Sequence, residues 1–172
     1  MLVGFPLYLG YGCNDQPLNK KDKIEVEVET HVKVNLDADF SLLIPKSLSF
    51  AESSKNYWLY NDLFRDQHIS VEKWGVASTD SAEESLSAWA SDFIHKKFDL
   101  KGNVKFQNIS SKVGEAAMYV EIIDSNKKNP KAYHMAFYSV NSSYIVISGW
   151  TAEERGEQFQ SIVKYSVQSL SN

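Results

Sequence analysis

The chain has 172 residues, a formal net charge of −4 and a hydrophobic share of 43%. That length suits one domain with a core of its own, and the acidic balance leaves no basic footprint, which argues against a nucleic-acid partner. No run of about 18 apolar residues occurs, so the sequence holds no complete membrane-spanning helix.

The amino terminus stands apart in composition. Residues 1–13 form an uncharged apolar leader that ends in Gly12-Cys13, and Cys13 is the only cysteine. Residues 14–23 are polar, contain Pro17 and four charged side chains among Lys20–Lys23, and read as a flexible tether. An apolar run, a small residue, a lone cysteine and a solvated tether resemble the end of a bacterial lipoprotein signal peptide, in which the cysteine becomes the lipidated first residue. Gly12 matches the small residue of that pattern; Gly10 and Tyr11 depart from it, and the positively charged start is missing. The other reading is a tail or short edge strand with an inert thiol. In either case a single cysteine excludes an intrachain disulfide.

Residues 24–172 are read as a single domain. Ile24, Val26, Val28, Val32, Val34 and Leu36 occupy even positions and polar residues the odd ones, which predicts one long strand. Asp37-Ala38-Asp39 makes a turn, and Phe40–Ile44 a more buried strand stopped by Pro45. Lys46–Asn56 reads as irregular. Tyr57–Tyr60 and His68–Val76 form a hairpin turning near Asn61-Asp62, with Ile69 and Val71 on one face and Trp74 on the other. Ser81-Ala-Glu-Glu84 is a capping box opening a helix whose apolar stripe is Leu86, Trp89, Ala90, Phe93, Ile94 and Phe98. A strand from Val104 toward Ser110 comes next, then three more: Ala116–Ile123, Lys131–Val140 and Ser143–Trp150. Thr151-Ala-Glu-Glu154 reads as a second capping box, opening a helix over Thr151–Leu170 that turns Phe159, Ile162, Val163, Ser166, Val167 and Leu170 inward. Trp89, Phe93, Phe159 and Ile162 are expected to pack on the sheet. The order β-β-β-β-α-β-β-β-β-α predicts an α+β fold: a mainly antiparallel sheet flanked by two principal helices.

Three stretches carry a family resemblance. Phe40-Ser-Leu-Leu-Ile-Pro45, Gly114-Glu-Ala-Ala-Met-Tyr-Val-Glu121, and Tyr144-Ile-Val-Ile-Ser-Gly149 with the helix after it resemble the PsbP-like superfamily. This group includes thylakoid PsbP proteins, bacterial DcrB-like envelope lipoproteins and the effector-associated chaperones of type VI secretion. The resemblance covers roughly Phe40 to Leu170 and rests on packing positions. It implies a sheet–helix sandwich and a non-enzymatic, protein-binding role, and the DcrB-like branch agrees with Cys13.

The chemistry-bearing residues do not assemble into a motif. His31, His68, His95 and His134 are far apart in sequence and lack metal-ligand spacing, so each is expected to face solvent or cap a strand, and no metal or cofactor is expected. Ser148 lacks the flanking glycines of a nucleophile elbow. Asp37 and Asp39 fit a turn better than a calcium loop. Glu153, Glu154 and Glu157 fit the positive end of a helix. The aromatic residues remain: they fill a core under helices on both faces, or leave a partner groove near Trp58, Tyr60 and Trp74. Two functions follow as expectations. One is a non-catalytic, lipid-anchored protein of the bacterial envelope, facing the periplasm and binding a protein partner. The other is a soluble cytoplasmic chaperone or adaptor that shields an apolar client segment.

Overall fold

The structure is a computed structural model describing residues 31–75, 82–100, 102–114, 116–125, 128–141 and 143–171. The leader, the tether, Cys13, the residues 24–30 of the first expected strand and Ser81 of the first capping box lie outside the described residues. The elements are β1 (His31–Asn35), β2 (Ser41–Pro45), β3 (Ser49–Ser54), β4 (Tyr57–Asp62), β5 (Gln67–Gly75), α1 (Ala82–Phe98), β6 (Gln107–Asn108), β7 (Ala116–Asp124), β8 (Lys131–Val140), β9 (Ser143–Ala152), a 3-10 turn (Glu153–Arg155) and α2 (Gly156–Gln168).

Seven strands form one sheet in the order β3-β4-β5-β9-β8-β7-β6, and all neighbours are antiparallel. After β5 the chain crosses one face through α1, reaches the far edge at β6 and returns by hairpins to β9. β1 and β2 form a separate two-stranded hairpin.

The period-two pattern of the strands divides the aromatic residues as alternation requires. Tyr133, Met135 and Phe137 of β8 join Leu86, Ala90 and Ile94 of α1 in one core layer. Ala136 and Tyr138 join Phe159, Val163 and Val167 of α2, together with Leu42 and Ile44 of β2, in the other. Trp89 and Phe93 flank the first layer and Ile162 the second, while Phe159 is wholly buried. The sheet is therefore covered on both faces, and the α+β expectation is met. The far end of α2 is stitched to β2: the Leu43 amide donates to Ser169 Oγ over 2.8 Å, and the amides of Ser41 and Ser171 each donate to the other's carbonyl.

Three expectations change. Ser49–Ser54, read as irregular, is an edge strand, and all six of its residues are exposed. In the described part of the run expected as one long strand, His31–Asn35, which pairs with β2, Val34 meets the core but Val32 is exposed. Thr151 does not cap a helix, because β9 continues through Ala152 and α2 starts only at Gly156. The Thr151 hydroxyl is buried with no hydrogen-bond partner among the described residues, and no side chain caps the 3-10 turn. Pairing with β8, where Ala132 faces Thr151 and Lys131 faces Ala152, wins over the local capping preference.

Candidate functional site

Two surface features bring chemically distinctive side chains together. The first is a cleft of about 910 Å³ where β7 and β8 meet the start of α2, lined by Glu121, His134, Glu153, Glu154, Glu157 and Gln160 among others. His134, expected at the surface, is buried there because α2 covers its face of β8. Its Nε2 lies 3.1 Å from the Gly156 carbonyl oxygen and its Nδ1 2.9 Å from the Tyr119 hydroxyl. A carbonyl only accepts, so Nε2 carries the proton and Tyr119 donates to Nδ1. Both ring nitrogens are thus engaged, and the imidazole has no free position for acid–base work. Glu121 beside this pair accepts from Gln160 and sits 3.4 Å from Lys164 Nζ.

Burial holds His134 below the ordinary histidine range, and Lys164 acts in the same direction against Glu121 and the Gly156 carbonyl. Burial, and then Glu121, push the Tyr119 phenol up, so it stays a donor at neutral pH. With the folded pKa depressed, the unfolded chain takes up the His134 proton first as pH falls below about 6.5. Stability contributed by the neutral imidazole is therefore complete above that pH and declines beneath it. Denaturant titrations at pH 7.5 and pH 5.5 should show this loss in the wild type and a smaller one in His134→Gln. Equal slopes with pH in the two proteins would remove His134 as the source.

The second feature is an aromatic groove of about 420 Å³ between β5 and α1, lined by Glu72, Trp74, Trp89, Asp92, Phe93 and the two lysines Lys96 and Lys97. Trp74 is 46% exposed and lies 6.3 Å from the Trp89 ring and 6.2 Å, edge-on, from Phe93. Trp89 in turn packs on Tyr144 at 4.6 Å, so the floor of the groove belongs to the core layer under α1. Lys97 lies 5.2 Å over the Phe93 ring and 3.4 Å from Glu72, and Lys96 meets Asp92 at 2.6 Å. The result is an apolar trough rimmed by charges of both signs.

The three aromatic residues expected at a partner surface do not converge. Trp58 and Tyr60 are only 9% and 5% exposed. Cross-strand pairing sets them opposite Val71 and Ile69, on the face covered by α2 and the β1–β2 hairpin. Trp74 lies on the other face. Burial thus removes Trp58 and Tyr60 as contact residues in this conformation and leaves Trp74.

The remaining candidates lie apart from these two features. Asp37 Oδ1 accepts the amides of Asp39 and Phe40, and its Oδ2 meets Lys73 Nζ at 3.0 Å. Burial acts to raise this carboxyl, but those amides and Lys73 hold it below its usual range. His31 packs on Tyr165, and His68 stacks on Trp150 at 4.9 Å. Ser148 is wholly buried and its hydroxyl has no hydrogen-bond partner among the described residues. Among the described residues no three His, Cys, Asp or Glu side chains come together as a metal-binding group.

No protein-family model matches the chain, and no curated protein matches it in sequence. Its architecture is shared, however. The Saccharomyces cerevisiae Ran-binding protein Mog1p superposes with a TM-score of 0.57 at 12% identity, over 81% of this chain and 94% of that one. Cyanobacterial PsbP from Synechocystis gives 0.54 at 13% identity, over 82% and 91%. A Pseudomonas aeruginosa protein of unknown function gives 0.52 at 15%, over 83% and 96%. The chain has the Mog1/PsbP-like fold, as the resemblance of its strand and helix motifs implied. At these identities the likeness concerns the fold; activities are carried by sites grafted onto it.

Proposed function

We propose that the protein is a non-catalytic, lipid-anchored component of the bacterial cell envelope that binds a protein partner. The observation that carries the binding role is the groove at Trp74. A half-exposed indole over a buried aromatic floor supplies apolar area together with a polar N–H, which suits a surface wet before binding and dry after it. Its rim of Glu72, Asp92, Lys96 and Lys97 fits a peptide segment with an apolar side chain flanked by polar ones. The same fold serves binding in the Ran-binding protein Mog1p, which agrees with this reading. The anchor reading rests on the leader, Gly12, Cys13 and the polar tether; two or more acyl chains at Cys13 would give stable membrane attachment.

One experiment addresses both parts. Protein made from its native upstream sequence should be found in membranes, with the mass of an acylated Cys13 at its amino terminus, and Cys13→Ser should release it. From those membranes, Trp74→Ala should weaken partner capture by about 2 kcal/mol, roughly 30-fold in Kd, with an unchanged unfolding midpoint. A soluble wild type with an unmodified amino terminus would overturn the anchor. Equal capture by wild type and Trp74→Ala would overturn the groove.

A further inference from the structure

The turn between β4 and β5 carries the two most exposed large apolar side chains among the described residues, Leu63 at 75% and Phe64 at 102%. Turns are built from Gly, Pro, Asn, Asp and Ser for conformational reasons, and nothing in their geometry requires adjacent Leu and Phe. This turn is also held in one shape. Asp62 Oδ1 accepts the amides of Phe64 and Arg65 at 3.0 and 3.2 Å. Asp66 adopts a left-handed backbone with φ 51°, pairs with Lys131, and lies 3.2 Å from the His68 ring that stacks on Trp150. The chain therefore presents a fixed apolar knob, with the Arg65 side chain beside it, 62% exposed and 3.7 Å from Asp62 Oδ2 through its Nε.

What the knob meets follows from its distance to His31, where the described chain begins. His31 pairs with Pro45, the Leu48 amide donates to the Pro45 carbonyl, and Ser49 pairs with Asn61 at the foot of the turn. Two cross-strand steps and one tight turn keep His31 within about 25 Å of Asn61. His31, the first described residue, thus lies within reach of the knob. Asn14 to Thr30 separate Cys13 from His31, a reach of at most about 60 Å. We infer that Leu63 and Phe64 enter the headgroup–acyl boundary of the bilayer, with Arg65 at the lipid phosphates, as a shallow second attachment beside the lipid on Cys13. The inference rests on the anchor reading above, since two apolar side chains hold a membrane only reversibly and need the high local concentration that a tether gives. Trp74 lies seven residues along β5 from Gln67, about 24 Å away, so the aromatic groove is separate from the knob.

The test uses the full chain carrying Cys13→Ser and an amino-terminal histidine tag, held on vesicles of phosphatidylethanolamine and phosphatidylglycerol that contain a nickel-chelating lipid. A single new thiol is introduced by Phe64→Cys, or by Ser54→Cys at the opposite end of β3, and labelled with an environment-sensitive fluorophore. Both positions are exposed, so neither change disturbs the core. Emission from position 64 should shift to the blue on vesicles and be quenched by nitroxide-labelled acyl chains, while position 54 reads as in water. The same emission at both positions would overturn the inference, as would a shift at 64 that requires added membrane protein and not lipid alone. Failure of the anchor reading gives a different result: Cys13 of native protein unmodified by mass, with the tag-held knob still inserting.

Discussion

Replacing Phe159 by alanine should lower the free energy of unfolding by about 3–5 kcal/mol. The ring lies in the first turns of α2, is wholly buried, and belongs to the core layer with Tyr119, Ala136, Tyr138, Ile147 and Val163. Its surroundings cannot easily close over the gap. On one side β8 and β9 are locked into a continuous ladder; on the other α2 is tied to β2 through Ser169 and Ser171. The deletion therefore leaves much of its cavity open, which sets the cost at the upper part of the range for buried aromatic residues. The denaturant midpoint reports it directly. A midpoint equal to wild type would mean that α2 does not seat this face on the sheet.

Gly149→Ala should cost about 2–3 kcal/mol, a large effect for one added methyl group. A Cβ at this position would stand 2.3 Å from Val163 Cγ2, 2.9 Å from Cγ1 and 3.2 Å from Cβ. Valine is stiff at χ1, so it cannot swing all three atoms away; α2 itself must lift from β9. The explanation has a signature beyond the size of the loss. Val163→Ala alone should destabilise by opening a cavity, yet the double variant should be more stable than the sum of the two losses predicts, because each change relieves the other. Strict additivity in this cycle would show that the helix does not lean on Gly149.

The hydrophobic pattern was legible wherever burial was one-sided or continuous. Alternation in Lys131–Val140 places Tyr133, Met135 and Phe137 on one face and Ala136 and Tyr138 on the other, and the two core layers divide them in the same way. Helical spacing likewise identified Leu86, Ala90 and Ile94, then Phe159, Val163 and Val167. Ser49–Ser54 escaped because an edge strand exposed at every position has no apolar face to display. The end of β9 escaped because Thr151-Ala-Glu-Glu154 satisfies the local capping grammar, while ladder pairing with Lys131 and Ala132, distant in sequence, decides the outcome.

The candidate site was harder to read, for a related reason. Trp58 and Tyr60 are strand aromatics like Trp74, and alternation separated their faces without saying which face would be covered more completely. That depends on the β1–β2 hairpin, which joins α2 over Trp58 and Tyr60, whereas Trp74 stands at the margin of α1. His134 illustrates the same limit, since its burial comes from Gly156 and α2 closing over a strand position that is polar in sequence. Leu63-Phe64 does carry a signal in the sequence, two large apolar residues set between Asp62 and Asp66 in a turn, where polar residues are the rule.

The position of β9 between β5 and β8 governs the order in which the protein becomes itself. β5 pairs with β4 at once, but its other neighbour is Ser143–Trp150, and the two halves of the sheet have no other ladder between them. The β1–β2 hairpin waits longer still, for Ser169 and Ser171. Contacts so remote in sequence must close large loops before they return any energy, which slows folding. A chain synthesised from its amino terminus thus reaches residue 140 with β5 unpaired on one side, and completes the domain only with its last thirty or so residues. Throughout that interval the unpaired edge of β5 stays open to strands of other chains.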